Sequence, residues 1–501
     1  MEDMLVQTVP ASTRAIPDAI AHHAHLRPDA PALVSERRTM TWQELNDATS
    51  SLARTLRDLG VTPRDCIAFH CTTPMTLDDL VTAFGIMSAC AIVMVDSTHP
   101  LPERRRIIER LAPLAIVSPA DRDPSGLPLP CWTVSDGARL SGADPVPGRA
   151  PAQNERPAPG DAAVILTSSG TTAESKLIPV RQERLMVLAA SVSERFDIGP
   201  ADRMLHMYPP PFGMFSFTAV PLHSGGVTII SEQAEESAQL GLASWQAPTW
   251  TAGSPSRLAI LADHMAATVP GSATSFRFVL SVGAAATDAN IASIARGLRT
   301  QRVDFYASTE SFFMAVDRTI TARLRIGNDR GAGLPPGEIG ELQVRGPLVF
   351  SGYLDDPELT AAAFTADGWF CTGDAGRIES DGRLTVLGRL VEQINRGGLK
   401  IAPLEIENAI VAHPDVLEAA AFAIPHPTLG QDAGLAIVAR PGAALTNREI
   451  RRWLLDRLLA AKVPRSIHTL DALPLTATGK VQRRALAALV TAIPPGNADA
   501  G

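Results

Sequence analysis

Short apolar runs separated by helical spacing constrain this chain more than any other feature. "CIAFHC", "AIVMVD", "LAIVS" and "AAVILTSS" are brief, apolar and β-rich, as the buried strands of an α/β sheet must be. Between them, "TWQELNDATSSLARTLRDLG" sets Leu45, Leu52, Leu56 and Leu59 on one helical face and stops at Gly60, a helix-ending signal. "PMTLDDLVTAFGIMSAC" reads as another helix. Strand signals resume in "GVTII", "FRFVLSVG" and "VDFYAS". The Pro-, Gly-, Ala- and Asp-rich stretch from Asp121 to Pro159 reads as an irregular connection. This alternation predicts an α/β fold.

At 501 residues the chain is too long for one core, so at least two domains are expected. The pattern changes from Gly337 onward. "GEIGELQVRGPLVFSGYL" and "GRLTVLGRL" are β-rich with glycine turns. A compact tail follows: helix "PLEIENAIVAH", strands "LEAAAFAI" and "GLAIVAR", helix "TNREIRRWLLDRLL". The predicted division falls at Gly388-Arg389-Leu390. It gives a large N-terminal domain of mixed α/β subdomains over 1–388 and a small, mobile α+β domain over 389–501.

Composition excludes several functions. The net charge of −8 is spread out with no long basic run, which argues against nucleic acid as a partner. Cys66, Cys71, Cys90, Cys131 and Cys371 are far apart and lack metal-ligand spacing, as expected of reduced thiols. The first residues do not read as a signal peptide, and no apolar run is long enough to span a bilayer. A soluble, cytoplasmic protein is expected.

The chemistry begins at "VILTSSGTTAESKLIPV". A strand there feeds Thr167, Ser168, Ser169, Gly170, Thr171 and Thr172, and the segment ends on Lys176. Such a loop presents hydroxyls and backbone N–H donors at a sheet's carboxyl edge, where α/β proteins bind ligands, and the lysine adds a charge suited to phosphate. It fits neither the Walker A spacing nor a Rossmann glycine pattern. Alone, a Ser/Thr-rich connection of this kind is more often a solvated loop. Four further segments carry related chemistry: "YASTE" (Tyr306–Glu310), "GWFCTGDAG" with Asp374 in a glycine-flanked turn, "GRLVEQINRGGLKIAPLEIE", and "LPLTATGKVQRR" with Lys480 after a small turn.

In this order and spacing, the five segments resemble the adenylate-forming superfamily of acyl-CoA synthetases, nonribosomal peptide synthetase adenylation domains and luciferases. Their wording is most similar to AMP-forming acyl-CoA ligases. The resemblance implies that a carboxylate attacks the α-phosphate of ATP to give an acyl-adenylate, and that a thiol of coenzyme A then displaces AMP. It also implies roles for individual residues. Thr167 to Thr172 with Lys176 would cradle the β- and γ-phosphates. Thr309 would lie at the α-phosphate, and Glu310 would hold Mg²⁺. Tyr306 would stack on adenine, beside Gly283 and Ala284. Asp374 would take the ribose hydroxyls with support from Arg389. Lys480 would bridge carboxylate and phosphate. Phe212, Gly213, Met214 and Ala285 fall in the implied acyl pocket. Gly397, Gly398 and Lys400 would line the thiol passage once the small domain turns about 389–391.

The chain departs from that family pattern at several points. Ala173 replaces a usual glycine, Leu177 follows Lys176, Val391 sits at the hinge, and Gly213 takes the place of a histidine. Two other readings therefore stand beside the CoA ligase: an adenylating enzyme that loads a carrier protein's phosphopantetheine, and a silent nucleotide-binding relative. The pocket segments "MYPPPFGMFSF", "TAGSP" and "SVGAAA" hold no basic residue for a second carboxylate and no acid for an amino group. An uncharged aliphatic or aryl acid is expected.

Overall fold

The computed structural model describes residues 13–71, 75–95, 101–119, 126–135, 139–153, 155–168, 176–207, 214–233, 235–269, 274–283, 286, 288–328, 331–474 and 481–492. Among them the strands form four sheets. The first has seven strands. Cys66–Phe69, Ala91–Met94, Ile116–Pro119 and Ala162–Ser168 lie parallel at its centre, and Lys176–Arg181 turns back antiparallel on Ala162–Ser168. The four apolar runs seen in the sequence thus make one sheet interior, with Ile67, Phe69, Ile92, Val93 and Val164 fully buried.

The second sheet has nine strands, among them Trp250–Gly253, Phe278–Val282 and Gln301–Ser308, which run parallel to one another. One apolar core extends under both sheets. The helix Trp42–Asp58 buries Leu45, Leu52 and Leu56 in it, as the spacing predicts, and begins on a capping box between Thr41 and Glu44. That box satisfies two of the N–H groups a helix start leaves free.

Arg323–Gly327, Gly340–Arg345, Phe370–Ile378 and Leu384–Arg389 form an antiparallel third sheet. The fourth draws all five strands from Ile394 onward and has its own apolar cluster of Ile394, Ile406, Val416, Leu435 and Ile467, among others. The molecule is therefore mixed α/β with a large N-terminal and a small C-terminal domain.

Two expectations are corrected. The stretch from Asp121 to Pro159 contains the strands Cys131–Ser135 and Arg139–Ser141, which extend the first sheet beyond Ile116–Pro119. Only Trp132 and Val134 of that hairpin point inward, so its local apolar signal was too thin to read, and pairing with a neighbour settled its form. Asp374 does not occupy a turn. It lies within the strand Phe370–Ile378, directly opposite Arg389.

Close packing in the second sheet's helical cover gives a stability test. The helices Pro255–Thr268 and Asp288–Leu298 approach so closely at Gly297 that a Cβ there would overlap the Ala262 carbonyl, and backbone cannot swing aside. Gly297→Ala should destabilise the fold by about 1–3 kcal/mol through overpacking, measured by denaturant unfolding. An unchanged midpoint would show that the helices have room to separate.

Candidate active site

The parallel strands end on one edge, and their register sets the candidate residues side by side. Val282 pairs with Phe305, so Gly283 and Tyr306 are neighbours at the carboxyl ends of adjacent strands. Thr167 is buried near the end of Ala162–Ser168, and Lys176 starts the returning strand opposite Ser168. Ser169, Gly170, Thr171, Thr172, Phe212, Gly213, Ala284, Ala285 and Lys480 lie outside the described residues, as do the side chains of Ser168 and Met214.

The site has two linked parts. In the first, the Tyr306 hydroxyl donates to Asp374 Oδ2 at 2.5 Å, while Arg389 Nε pairs with Asp374 Oδ1 at 3.0 Å. Arg389 also donates through Nη1 to the Thr372 carbonyl at 2.9 Å. The Thr372 hydroxyl is itself fixed on the Leu342 carbonyl at 2.8 Å and accepts from the Asp374 N–H at 3.1 Å. Asp374 is thus a buried carboxylate whose orientation is set from both sides. Burial first, and the Asp374 charge second, push the Tyr306 phenol well above its ordinary pKa.

In the second part, Tyr353 Oη donates to Glu310 Oε1 at 3.3 Å and accepts from Lys176 Nζ at 3.4 Å, with the ammonium 4.8 Å from the ring centre. Tyr353 therefore bridges the predicted phosphate-binding lysine to the predicted metal-binding carboxylate. Its ring meets Phe350 edge-on at 4.8 Å, which holds the phenol in place. Burial and the neighbouring Glu310 charge raise its pKa, while Arg389 opposes that rise. Arg389 thus sits within electrostatic reach of both parts.

Sequence reasoning missed Tyr353, and also Arg184, whose guanidinium grips the Thr309 and Glu310 carbonyls. Tyr353 could have been suspected as one of only three tyrosines in the chain. Arg184 sits in an unremarkable helical start, where nothing local marks it.

Gly397 and Gly398 occupy the two-residue turn joining Ile394–Arg396 to Leu399–Ile401, both with positive φ (59° and 94°). A tight hairpin of this kind requires that conformation at both central positions, and glycine adopts it without strain. Lys400 is exposed beside the turn. A cavity of about 410 Å³ lies behind the Glu310 turn, lined by Ser311, Phe313 and Leu348 with Arg195 and Arg345 among its charged residues; no predicted site residue lines it.

A strand end carrying Thr167 with Lys176, the Glu310 carboxylate joined to that lysine through Tyr353, and a buried Asp374 held by Tyr306 and Arg389 bring cationic and hydrogen-bonding groups into one neighbourhood. Comparison with known proteins supplies the family. Residues 20–354 match the family described as AMP-binding enzyme, and residues 405–480 match its C-terminal domain. The chain belongs to the AMP-binding enzymes. It is an adenylate-forming enzyme similar to AMP-forming acid–CoA ligases. A 3-[(3aS,4S,7aS)-7a-methyl-1,5-dioxo-octahydro-1H-inden-4-yl]propanoyl:CoA ligase of Mycobacterium tuberculosis is 31% identical over 94% of this chain and 98% of its own. The pseudomonine synthase PmsE of Pseudomonas entomophila is 27% identical over 93% of this chain and 81% of its own. Among solved structures, an ATP-bound RpMatB-BxBclM chimera superposes with a TM-score of 0.81 at 25% identity, covering 94% of this chain and 99% of its own. No helix among the described residues is long and apolar enough to cross a membrane.

The two raised phenols give a direct test of how this part of the structure is packed. An unfolded tyrosine ionises near pH ~10, so Tyr306 and Tyr353 should stay protonated in the folded enzyme where the unfolded chain has already released its protons. Spectrophotometric alkaline titration should show no more than one of the three phenols ionising in that range. Because the folded state then holds more protons, stability should fall as pH rises above about 10. Two phenolates forming at ordinary pH would contradict the burial of this pair.

Proposed function

We propose that this enzyme activates an uncharged aliphatic or aryl carboxylic acid with ATP and transfers the acyl group to coenzyme A. The observation that carries this reading is the convergence of Lys176, Tyr353 and Glu310 with Tyr306, Asp374 and Arg389 in one neighbourhood, in a chain of the AMP-binding family. In the first step a carboxylate oxygen bonds to the α-phosphorus and the bond to pyrophosphate breaks. Both reactants are anions, so the step needs cations and N–H donors around the phosphate. Lys176 and the Thr167–Thr172 loop would meet the β- and γ-phosphates, Thr309 would lie at the α-phosphate, and Lys480 would span the reacting oxygens. In the second step the thiol sulfur bonds to the acyl carbon, AMP leaves, and the thiol proton passes to solvent.

Asp374 is suited to ribose hydroxyls, because a carboxylate offers about four lone-pair directions and Tyr306 and Arg389 fix its plane. Tyr306 would stack on the base, beside the adjoining Gly283. Nucleotide-bound magnesium takes one or two carboxylates and completes its shell with phosphate and water. Glu310, a single partly buried carboxylate, fits that need, and among the described residues no cluster of three His, Cys, Asp or Glu could hold a metal alone. An ion there would neutralise phosphate charge.

The proposed domains are 1–388 and 389–501, with rotation about 389–391 exchanging Lys480 for the Gly397-Gly398 turn. Val391 at that joint is 69% exposed and so makes little packing that would resist rotation. On the C-terminal side, Arg483 binds Glu407 at 2.8 Å and Glu392 at 3.1 Å, and Gln482 N–H bonds the Pro474 carbonyl at 2.8 Å. These contacts anchor both ends of the segment that carries Lys480. Loading of a carrier-protein phosphopantetheine is the second reading, favoured by the similarity to a pseudomonine synthase and by Gly213 in place of a histidine.

Pyrophosphate release with ATP and Mg²⁺, over a panel of acids with and without coenzyme A, tests the reading. Acyl-CoA identified by mass supports it. Adenylate without acyl-CoA moves the case to a carrier protein, and no release with any acid overturns it. Lys480→Ala should slow adenylation by about 100-fold or more, the scale of losing one charged transition-state contact, yet largely spare thioester formation from supplied acyl-adenylate. Equal losses in both half-reactions would count against domain rotation.

A further inference from the structure

Arg184 stands third in the helix Gln182–Phe196 and is 5% exposed. Two features make this an expensive place for a cation. Burial removes its water, and the first turn of a helix already carries positive potential from its own N–H groups. Among the described residues its hydrogen-bond partners are all neutral carbonyls. Nε donates to the Leu348 carbonyl at 2.9 Å, and Nη2 donates to the carbonyls of Thr309 at 3.0 Å and Glu310 at 2.7 Å. Nη1 is buried without a partner. The guanidinium carbon lies 4.1 Å from the centre of the Phe312 ring. Burial draws its pKa down to about 9, which leaves it charged at neutral pH, and the nearby Glu310 charge opposes that fall.

The segment it grips is the turn between the strands Gln301–Ser308 and Phe312–Val316. This turn is under tension. Phe312 holds a φ of 49°, a left-handed conformation that a bulky side chain disfavours. The Glu310 carbonyl also accepts from the Phe350 N–H at 2.7 Å, so two elements pin the same peptide. A planar fork with several donors can hold adjacent carbonyls in one arrangement, whereas a lysine ammonium acts as a point charge.

We propose that Arg184 is a positioning residue that fixes the Thr309–Glu310 peptide, so that the Glu310 carboxylate and the Thr309 hydroxyl meet the metal and the α-phosphate. This rests on the adenylation reading. It explains why a cation sits where burial and helix polarity both oppose it. The residue acts through the turn and needs no contact with substrate.

The test compares full-length wild type with Arg184→Met, Arg184→Lys and Glu310→Gln. Displacement of a reacting geometry by about 1 Å costs on the order of 100-fold in rate. Arg184→Met should therefore cut adenylation turnover by about 10- to 100-fold and raise the half-saturating Mg²⁺ concentration in the same direction as Glu310→Gln. Thioester formation from supplied acyl-adenylate should fall much less. Arg184→Lys should recover part of the turnover and part of the Mg²⁺ affinity. Calorimetric titration of ATP at several Mg²⁺ concentrations gives a readout independent of turnover, and Mg²⁺-dependent ATP binding should weaken in the Met variant. A folded Met or Lys variant with wild-type Mg²⁺ dependence in binding and turnover overturns the proposal, as does a loss equal in both half-reactions. If the Met variant does not fold, the Lys variant decides alone. Wild type that releases no pyrophosphate with any acid would sink the adenylation reading instead, and the ATP-binding titration would then still decide Arg184.

Discussion

The hydrogen bond from Tyr306 to Asp374 ties together two sheets that also meet where Arg318 hydrogen-bonds with Leu384 and where Ala315 packs with Leu342 and Leu384. Tyr306 ends a parallel strand of the nine-stranded sheet, and Asp374 lies within an antiparallel strand of the four-stranded one. Because both groups are largely removed from water, the bond is far stronger than its exposed counterpart and costly to leave unmade. Together with the Arg318 and Ala315 contacts, it sets where the third sheet sits against the strand ends. Arg389 extends the link, since it is opposite Asp374 in register and stands where the third sheet hands the chain to the C-terminal domain. One buried carboxylate thus links the proposed nucleotide site to the joint about which the proposed rotation turns.

A second constraint operates at the opposite side of the site. Lys176 and Glu310 come from different sheets and carry opposite charges, yet they meet through the phenol of Tyr353. An intervening hydroxyl keeps the two charges near each other without a direct ion pair. In the proposed reaction, that arrangement would leave the lysine free to turn toward phosphate and the carboxylate free to turn toward a cation. Phe350, which braces Tyr353 from the side, also donates its N–H to the Glu310 carbonyl, so the bridge and the turn are supported by one residue. Arg184 completes the same support from the helix Gln182–Phe196.

Much of this was legible in the chain, for physical reasons. Strands buried on both faces must be apolar throughout, so the four runs of the first sheet identified themselves. The helix Trp42–Asp58 showed its buried face at the expected spacing. Lys176, Tyr306, Glu310, Asp374 and Arg389 could be named because the order and spacing of five short segments resemble one superfamily, which implied their roles. The hairpin Cys131–Ser135 and Arg139–Ser141 escaped because an edge pair with two inward residues gives almost no local pattern. Asp374 was misplaced in a turn because its flanking glycines look like turn residues, while in the fold they allow an irregular strand register.

By itself, the sequence determined the α/β class, the large and small domains, and the family to which the chain belongs, since these depend on local periodicity and on the order of short motifs. Only the tertiary structure decided that Tyr353 stands between Lys176 and Glu310, that Asp374 is opposite Arg389, and that a buried Arg184 holds the Thr309–Glu310 peptide. Each of these depends on contacts between residues separated by between 15 and 177 positions. Such contacts leave no periodic trace in the sequence, because the partner is chosen by the packing of whole sheets and not by its neighbours in the chain.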